Sequence, residues 1–105
     1  MKKKSSLIAG FWRNSNAMDI YQIEWKKSAL KEIQKIDKSN IPKILEKIHA
    51  LAVNPRPDGV RKLRGSEYFY RIRAGNYRIV YEISDAILRI YIIRIAHRKD
   101  VYNTF

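Results

Sequence analysis

No cysteine occurs in the 105-residue sequence. Its absence excludes disulfide bridges, thiolate metal sites and cysteine nucleophiles, and it agrees with a reducing compartment. There are only two histidines, and the ten acidic residues are scattered along the chain. A zinc site needs several nitrogen or sulfur ligands, and a two-metal centre needs several converging carboxylates. We therefore expect no metal ion and no cofactor.

Long apolar runs are also missing, because no stretch approaches the roughly 18 apolar residues that cross a membrane. The segment Met1–Met18 begins with three lysines and a short apolar stretch, but Arg13 and Asn14 interrupt it too early for a secretory signal. We predict that residues 1–18 are a flexible basic N-terminal extension, either an upstream-start artefact or a basic arm. Residues 19–105 are then one cytoplasmic domain, with no membrane partner.

Positive charge is what the sequence has in excess, with 22 lysines and arginines against ten acidic residues and a net charge of +12. Such an excess favours polyanionic partners, namely nucleic acid, an anionic membrane or an acidic protein segment. Residues 19–53 carry seven basic and five acidic residues, whereas residues 54–105 carry eleven and five. Apart from the N-terminal extension, the excess therefore lies in the C-terminal half.

The N-terminal half of the domain has the pattern of one strand and two helices. Residues 20–25 are rich in strand-forming side chains. From Ser28, apolar residues recur at spacings of three and four, which predicts a helix until residues 37–40 interrupt it. Pro42 suits the first turn of a second helix, whose apolar face runs over residues 41–52. The two helices should form an antiparallel hairpin.

The C-terminal half has the pattern of an antiparallel sheet. Two prolines and an Asp-Gly pair end the helices at residues 54–59. Three strand-like segments follow, at residues 68–73, 77–83 and 87–96. Gly75 and Asn76 suit a tight turn between the first two. The predicted class is α+β, in the order β-α-α-β-β-β, with the helical hairpin packed on a small, mainly antiparallel sheet.

An arginine cluster follows from this hairpin register. With Gly75 and Asn76 in the turn, Arg73 lies opposite Arg78, and alternation places Arg71 on the same face. Opposed like charges destabilise a sheet by about a few tenths of a kcal/mol. Guanidinium groups bind phosphate through paired hydrogen bonds, so an anion among them would explain the cluster. The alternative is an ordinary solvent-exposed face.

The chain end adds three candidate functional residues. The segment 95–102 contains His97, Arg98 and Tyr102, and it follows the last predicted strand. An imidazole titrates near neutral pH and can transfer protons. We expect these side chains to reach the arginine face from the edge of the sheet.

Several short segments, in this order and spacing, resemble the RelE branch of the RelE/ParE toxin superfamily across residues 19–105. They are Glu24-Trp25, Ser28-Ala29-Leu30-Lys31-Glu32, Asn54-Pro55-Arg56, Lys62-Leu63-Arg64-Gly65, Tyr70-Arg71-Ile72-Arg73, Gly75-Asn76-Tyr77-Arg78-Ile79-Val80-Tyr81 and His97-Arg98-Lys99-Asp100-Val101-Tyr102.

The resemblance implies the toxin of a type II toxin–antitoxin pair, a ribosome-dependent endoribonuclease that cleaves mRNA by metal-independent attack of the ribose 2′-hydroxyl. Its partners would be the ribosome, mRNA and a cognate antitoxin, the last in a heterodimer or heterotetramer. The implied catalytic residues are Arg71, Arg73, Arg78, His97, Arg98 and Tyr102. The implied RNA-binding residues are Lys62, Arg64, Arg71, Arg73, Arg78 and Arg98.

One departure from the family concerns the proton donor. Its best-studied pattern has lysines where this chain has Arg71 and Arg73. An arginine, with a pKa above about 12, holds phosphate but transfers protons poorly. The resemblance to relatives with a C-terminal histidine therefore suggests His97 as the general acid.

Two other functions are compatible with the same sequence. A ParE-like protein would have the same fold and would inhibit DNA gyrase without cleaving RNA. A basic RNA-binding module would bind RNA and leave it intact.

Overall fold

The computed structural model describes residues 20–101; the predicted extension 1–18 and Tyr102 lie outside this range. The elements are β1 (Gln22–Trp25), α1 (Lys27–Gln34), α2 (Ile41–Ala50), β2 (Arg61–Lys62), β3 (Phe69–Ala74), β4 (Tyr77–Ser84), β5 (Arg89–His97) and α3 (Arg98–Val101). Neither of the two longer helices, nor any other helix in this range, is long and apolar enough to cross a membrane.

The five strands form one sheet in the order β1-β5-β4-β3-β2, with β1 parallel to β5 and every other pair antiparallel. The predicted α+β class and the β-α-α-β-β-β order are confirmed. The sequence did not indicate β2, because two charged residues give no alternating pattern. The last strand starts at Arg89 and not at residue 87, because Ile87 and Leu88 lie in a turn where Leu88 has a φ of 50°.

Both longer helices cover the same face of the sheet, as their apolar spacing predicts. Ala29 and Ile33 of α1 and Ile44 and Ile48 of α2 are buried at intervals of four residues. We call the covered side the helix face. The four buried helix residues pack against buried residues of the three long strands, namely Ile72, Ala74, Ile79, Tyr81, Ile83, Ile90, Ile92 and Ile95.

A β-bulge interrupts β5 at its middle. Tyr81 pairs with Ile92 but Val80 pairs with Arg94, so Ile93 is an additional residue without a partner on β4. Beyond Ile92 the strand also loses its parallel neighbour, because β1 ends there. The bulge therefore sets which side chains of the C-terminal half of β5 point to each face.

A glutamate of α1 covers the edge of β5 that β1 leaves open. The Glu32 carboxylate accepts a hydrogen bond of 2.8 Å from the N–H of Ile95 and lies 3.5 Å from the Arg94 guanidinium. A part-buried strand-edge donor is thereby satisfied. This contact holds the end of β5 against the helical layer.

Candidate nucleic-acid interface

The β3–β4 hairpin has the predicted register. Arg73 pairs with Arg78 and Arg71 with Val80, while Gly75 has the positive φ of 64° that the turn needs. Because Ile72 and its partner are buried beneath the helices, the three arginines point to the opposite side of the sheet. We call this side the arginine face.

A small apolar cluster occupies the middle of the arginine face. Val80 and Ala96 are buried there, and Leu63 and Ile93 pack against them. Leu63 belongs to the turn between β2 and β3, where its N–H donates to the carbonyl of Phe69 at 2.9 Å. The Lys-Leu-Arg-Gly segment thus anchors the turn to the sheet.

Arg61 joins the arginine face although sequence reasoning missed it. It lies on β2 directly opposite Arg71, and directly paired residues of neighbouring strands share a face. The face therefore holds two opposed arginine pairs, Arg61 with Arg71 and Arg73 with Arg78. Predicting the position of Arg61 from the sequence would have required predicting β2, and a strand of two residues is too short to recognise in a sequence.

An open groove of about 460 Å³ runs along these arginines at the β3 edge. Five basic residues and one acidic residue are among the eight that line it: Lys47, Asp58, Gly59, Arg61, Arg71, Ile72, Arg73 and Arg78. Such a groove attracts an extended polyanion, and its guanidinium groups can bind phosphate oxygens in pairs. We call it the arginine groove.

The charges of two groove arginines are not neutralised by the residues that the structure describes. The ion pairs of residues 20–101 involve Arg56, Arg89 and Arg94 but neither Arg73 nor Arg78. The Arg78 guanidinium donates to the neutral carbonyl of Tyr77 at 3.3 Å, which leaves its charge uncompensated. Both cations can therefore bind an external anion.

His97 does not lie on the arginine face, contrary to our expectation. It pairs with Tyr77, and the two rings meet edge to face with centroids 5.6 Å apart on the helix face. The bulge at Ile93 is the reason, because one additional residue reverses the alternation of all later positions. The Lys99 N–H also donates to His97 Nδ1 at 3.3 Å, so one ring nitrogen is already used within the chain.

The remaining predicted site residues are divided among different places. Lys62 pairs with Tyr70, which packs against the core, so its register position belongs to the helix face and not to the arginine face. Arg64 is exposed in the turn after β2. Arg98 starts α3, and its N–H donates to the Asn76 carbonyl at 2.8 Å, which fixes it beside the hairpin turn.

A second polar cluster lies at the opposite end of the sheet. The Arg56 guanidinium contacts the Asp85 carboxylate at 2.9 Å and its centre lies 5.4 Å from the centroid of the Tyr70 ring. The Tyr21 hydroxyl donates to the same carboxylate at 2.6 Å. The Asn-Pro-Arg segment therefore ties the helix exit to the β4–β5 turn, which is a structural role.

The pKa values of this cluster agree with that role. Hydrogen bonds from Arg56 and Tyr21 lower the pKa of Asp85 below its usual range. Burial raises the pKa of Tyr81, whose hydroxyl donates to the Pro55 carbonyl at 2.7 Å. Each group keeps its ordinary charge at neutral pH.

We expect the contact between Arg56 and Asp85 to make the folding stability depend on pH in the acidic range. Because the folded pKa of Asp85 is lower than its ordinary value of 3.8, the stabilisation is complete above that value and is lost as the pH falls through the folded pKa. Asp85→Asn should lower the thermal midpoint at pH 7 and weaken its fall below pH 4. Thermal unfolding from pH 2 to 7 measures both, and identical curves for variant and wild type would contradict the expectation.

Within residues 20–101, no group of three or more histidines and carboxylates is arranged to hold a metal ion. The chemistry that the groove offers is that of its cations. The fold and this groove define a small, basic α+β protein in which one sheet face is packed by helices and the other presents arginines.

Comparison with known proteins gives the family. Residues 23–102 match the family described as the ParE toxin of type II toxin-antitoxin system, parDE. A RelE-like toxin protein of Escherichia coli is 37% identical over 87 residues, covering 79% of this chain and 90% of that protein. The chain therefore belongs to the RelE/ParE family of toxins from type II toxin–antitoxin systems.

Solved structures agree with the RelE branch. A chain of the archaeal RelE-RelB complex from Pyrococcus horikoshii OT3 superposes with a TM-score of 0.69 at 28% identity, covering 77% of this chain and 98% of its own. The isolated E. coli RelE toxin gives a TM-score of 0.66 at 28% identity, with 79% and 92% covered. The predicted resemblance to RelE is confirmed.

Proposed function

We propose that this toxin is a ribosome-dependent endoribonuclease that cleaves mRNA in the cytoplasm. The observation that supports it best is the arginine groove, where opposed arginine pairs lie side by side on one rigid sheet face. The opposed charges of Arg73 and Arg78 are unfavourable without an anion, and the RNA backbone supplies anions at a regular spacing.

In the proposed reaction the ribose 2′-hydroxyl attacks the adjacent phosphorus. The 2′-hydroxyl gives up its proton to water as its oxygen bonds to phosphorus, a 2′,3′-cyclic phosphate forms, the bond to the 5′-oxygen breaks, and that oxygen takes up a proton from water. Arg71, Arg73 and Arg78 bind the phosphate and stabilise the additional negative charge of the transition state. Arg98 binds the RNA backbone beside the hairpin turn, and Tyr102 stacks on a base or orients the 2′-hydroxyl.

The same groove gives a reason for silencing by an antitoxin. The similar archaeal structure is a complex of RelE with RelB. We infer that this chain also has a cognate antitoxin, in a heterodimer or heterotetramer, and that an acidic or amphipathic segment of it covers the groove. Purified toxin–antitoxin complex should then cleave no RNA; full activity in the complex would contradict this partner assignment.

Primer extension on a translated mRNA, with and without ribosomes, tests the enzymatic proposal. We expect cuts inside codons that require ribosomes. The family match at residues 23–102 supports ParE-like gyrase inhibition as the second candidate. Intact RNA together with gyrase-dependent DNA breaks would therefore reject the nuclease in favour of that candidate, and RNA binding without either product would indicate a non-catalytic module.

The register of β5 also predicts the behaviour of one variant. Because His97 packs against Tyr77 on the helix face, His97→Gln should cleave RNA within about threefold of the wild-type rate, far from the roughly 10²- to 10⁴-fold loss that removal of a general acid produces. Single-turnover cleavage on programmed ribosomes measures the rate. A loss of about 100-fold with an unchanged melting temperature would restore His97 as the proton donor.

A further inference from the structure

The arginine groove continues past the sheet to the helical layer. Lys47 of α2 lines it together with Ile72 and Arg73 of β3. Because α2 packs on the helix face of the sheet, its Lys47 reaches the groove from the helical side of the β3 edge. Lys47 also lines a neighbouring hollow of about 280 Å³ between α2 and the hairpin turn, so it lies where the two depressions meet.

The open edge of β3 adds a backbone donor at this place. Residues of an antiparallel strand direct their backbone N–H and C=O groups alternately to the two neighbouring strands. The backbone groups of Arg73 therefore point to the same side as those of Arg71, towards β2. β2 pairs only as far as Arg61, and the chain turns away at Gly59, where φ is 90°. Within residues 20–101 no ladder hydrogen bond reaches Arg73 on that side, so its N–H points into the groove.

The spacing of these donors fits more than one phosphate. Arg71 and Arg73 are two positions apart on one strand, a separation of about 6.7 Å. This is comparable to the distance between neighbouring phosphates of an RNA strand. Arg73 and Arg78 pair next to the hairpin turn, and Arg61 and Lys47 also line the groove.

We propose that Lys47, Arg61 and the N–H of Arg73 form a second phosphate site, which holds the nucleotide next to the one that is cleaved. This inference rests on the proposed RNA-cleaving function and names further binding residues for it. Lysine and peptide N–H groups contact phosphate oxygens without reading bases, so the site positions the RNA and does not select its sequence. Asp58, the acidic residue of the lining, repels the same phosphate.

Salt-dependent binding tests the second site. The probe is a 2′-O-methyl oligoribonucleotide of about six nucleotides, which cannot be cleaved and falls within single-strand site sizes. We expect Lys47→Gln to reduce the slope of log affinity against log salt by about 0.7, the loss of one phosphate contact. Lys47→Arg should keep the slope. Lys38→Gln, at an exposed lysine between the helices, is the matched control and should behave as wild type.

An opposite change strengthens the test. Asp58→Asn removes a repelling charge and should raise the affinity by about twofold to fivefold without changing the slope. Hexaglutamate serves as a competing acidic peptide in the same assay. We expect Lys47→Gln to weaken the binding of hexaglutamate by no more than it weakens the binding of RNA.

Each outcome decides the question. If wild type binds the RNA but Lys47→Gln has the slope of Lys38→Gln, the second site is rejected and the nuclease proposal stands. If wild type fails to bind the RNA, the second site is rejected, whereas the ribosome-dependent nuclease is rejected only by the absence of cuts in primer extension. If Lys47→Gln weakens hexaglutamate and leaves RNA unchanged, the groove extension belongs to a protein partner and the second site is likewise rejected.

Discussion

Arg78→Ala is expected to lower the rate of ribosome-dependent mRNA cleavage by about 100- to 1000-fold, the usual cost of removing a donor that stabilises transition-state charge. The guanidinium lies opposite Arg73 on the arginine face and forms no ion pair within residues 20–101. Its charge is therefore available to the phosphate. Single-turnover cleavage at saturating ribosome concentration separates this loss from weaker binding.

Two further variants make the Arg78 result specific. Arg78→Lys keeps the charge but loses the paired hydrogen bonds, so it should recover only part of the rate. Lys38→Ala removes one positive charge from the exposed turn between the helices and should cleave as wild type. Equal losses for Arg78→Ala and Lys38→Ala would show that net charge, and not the arginine face, determines the activity.

Ile79→Ala should destabilise the fold by about 2–5 kcal/mol, because it leaves a cavity where a fully buried side chain contacts the core. Ile79 is 0% exposed, and its strand partners Ile72 and Ile95 are buried with it. A domain of this size has only about 5–15 kcal/mol of total stability, so the loss is a large fraction. Urea unfolding followed by circular dichroism measures the free energy of unfolding.

The matched control is an isoleucine with the opposite environment. Ile87 lies in the β4–β5 turn and is 63% exposed, so Ile87→Ala should change the free energy of unfolding by less than about 0.5 kcal/mol. If both variants lost stability equally, the core would not be centred on the helix face of β4.

The arginine cluster could be predicted because it depends on local information. A two-residue turn at Gly75 and Asn76 fixes the pairing of Arg73 with Arg78, and the period of two does the rest. The buried sides of the two helices could be predicted in the same way from the spacing of Ala29 and Ile33 in α1 and of Ile44 and Ile48 in α2. These features need no knowledge of distant segments.

The groove could be predicted only in part because its other side comes from distant segments. Arg61 meets Arg71 through a two-residue strand, and Lys47 reaches the β3 edge from a helix whose solvent side looked unremarkable. His97 was misplaced because the register of β5 changes at Ile93. The sequence did contain a signal: Ile90 and Ile92 alternate, but the next buried isoleucine is Ile95, three positions later.

The unpaired Ile93 has an evolutionary consequence. If β5 paired with β4 without the bulge at unchanged length, simple alternation would continue from Ile92 and turn the following residues over, so that His97 would face the arginines while the neighbouring alanine would turn towards the helices. The pairing of one strand, and not a change of side-chain chemistry, thus decides which residue near the end of β5 lies on the arginine face. Gain or loss of the bulge alone would therefore exchange the side chains that this end of β5 presents to the arginine face.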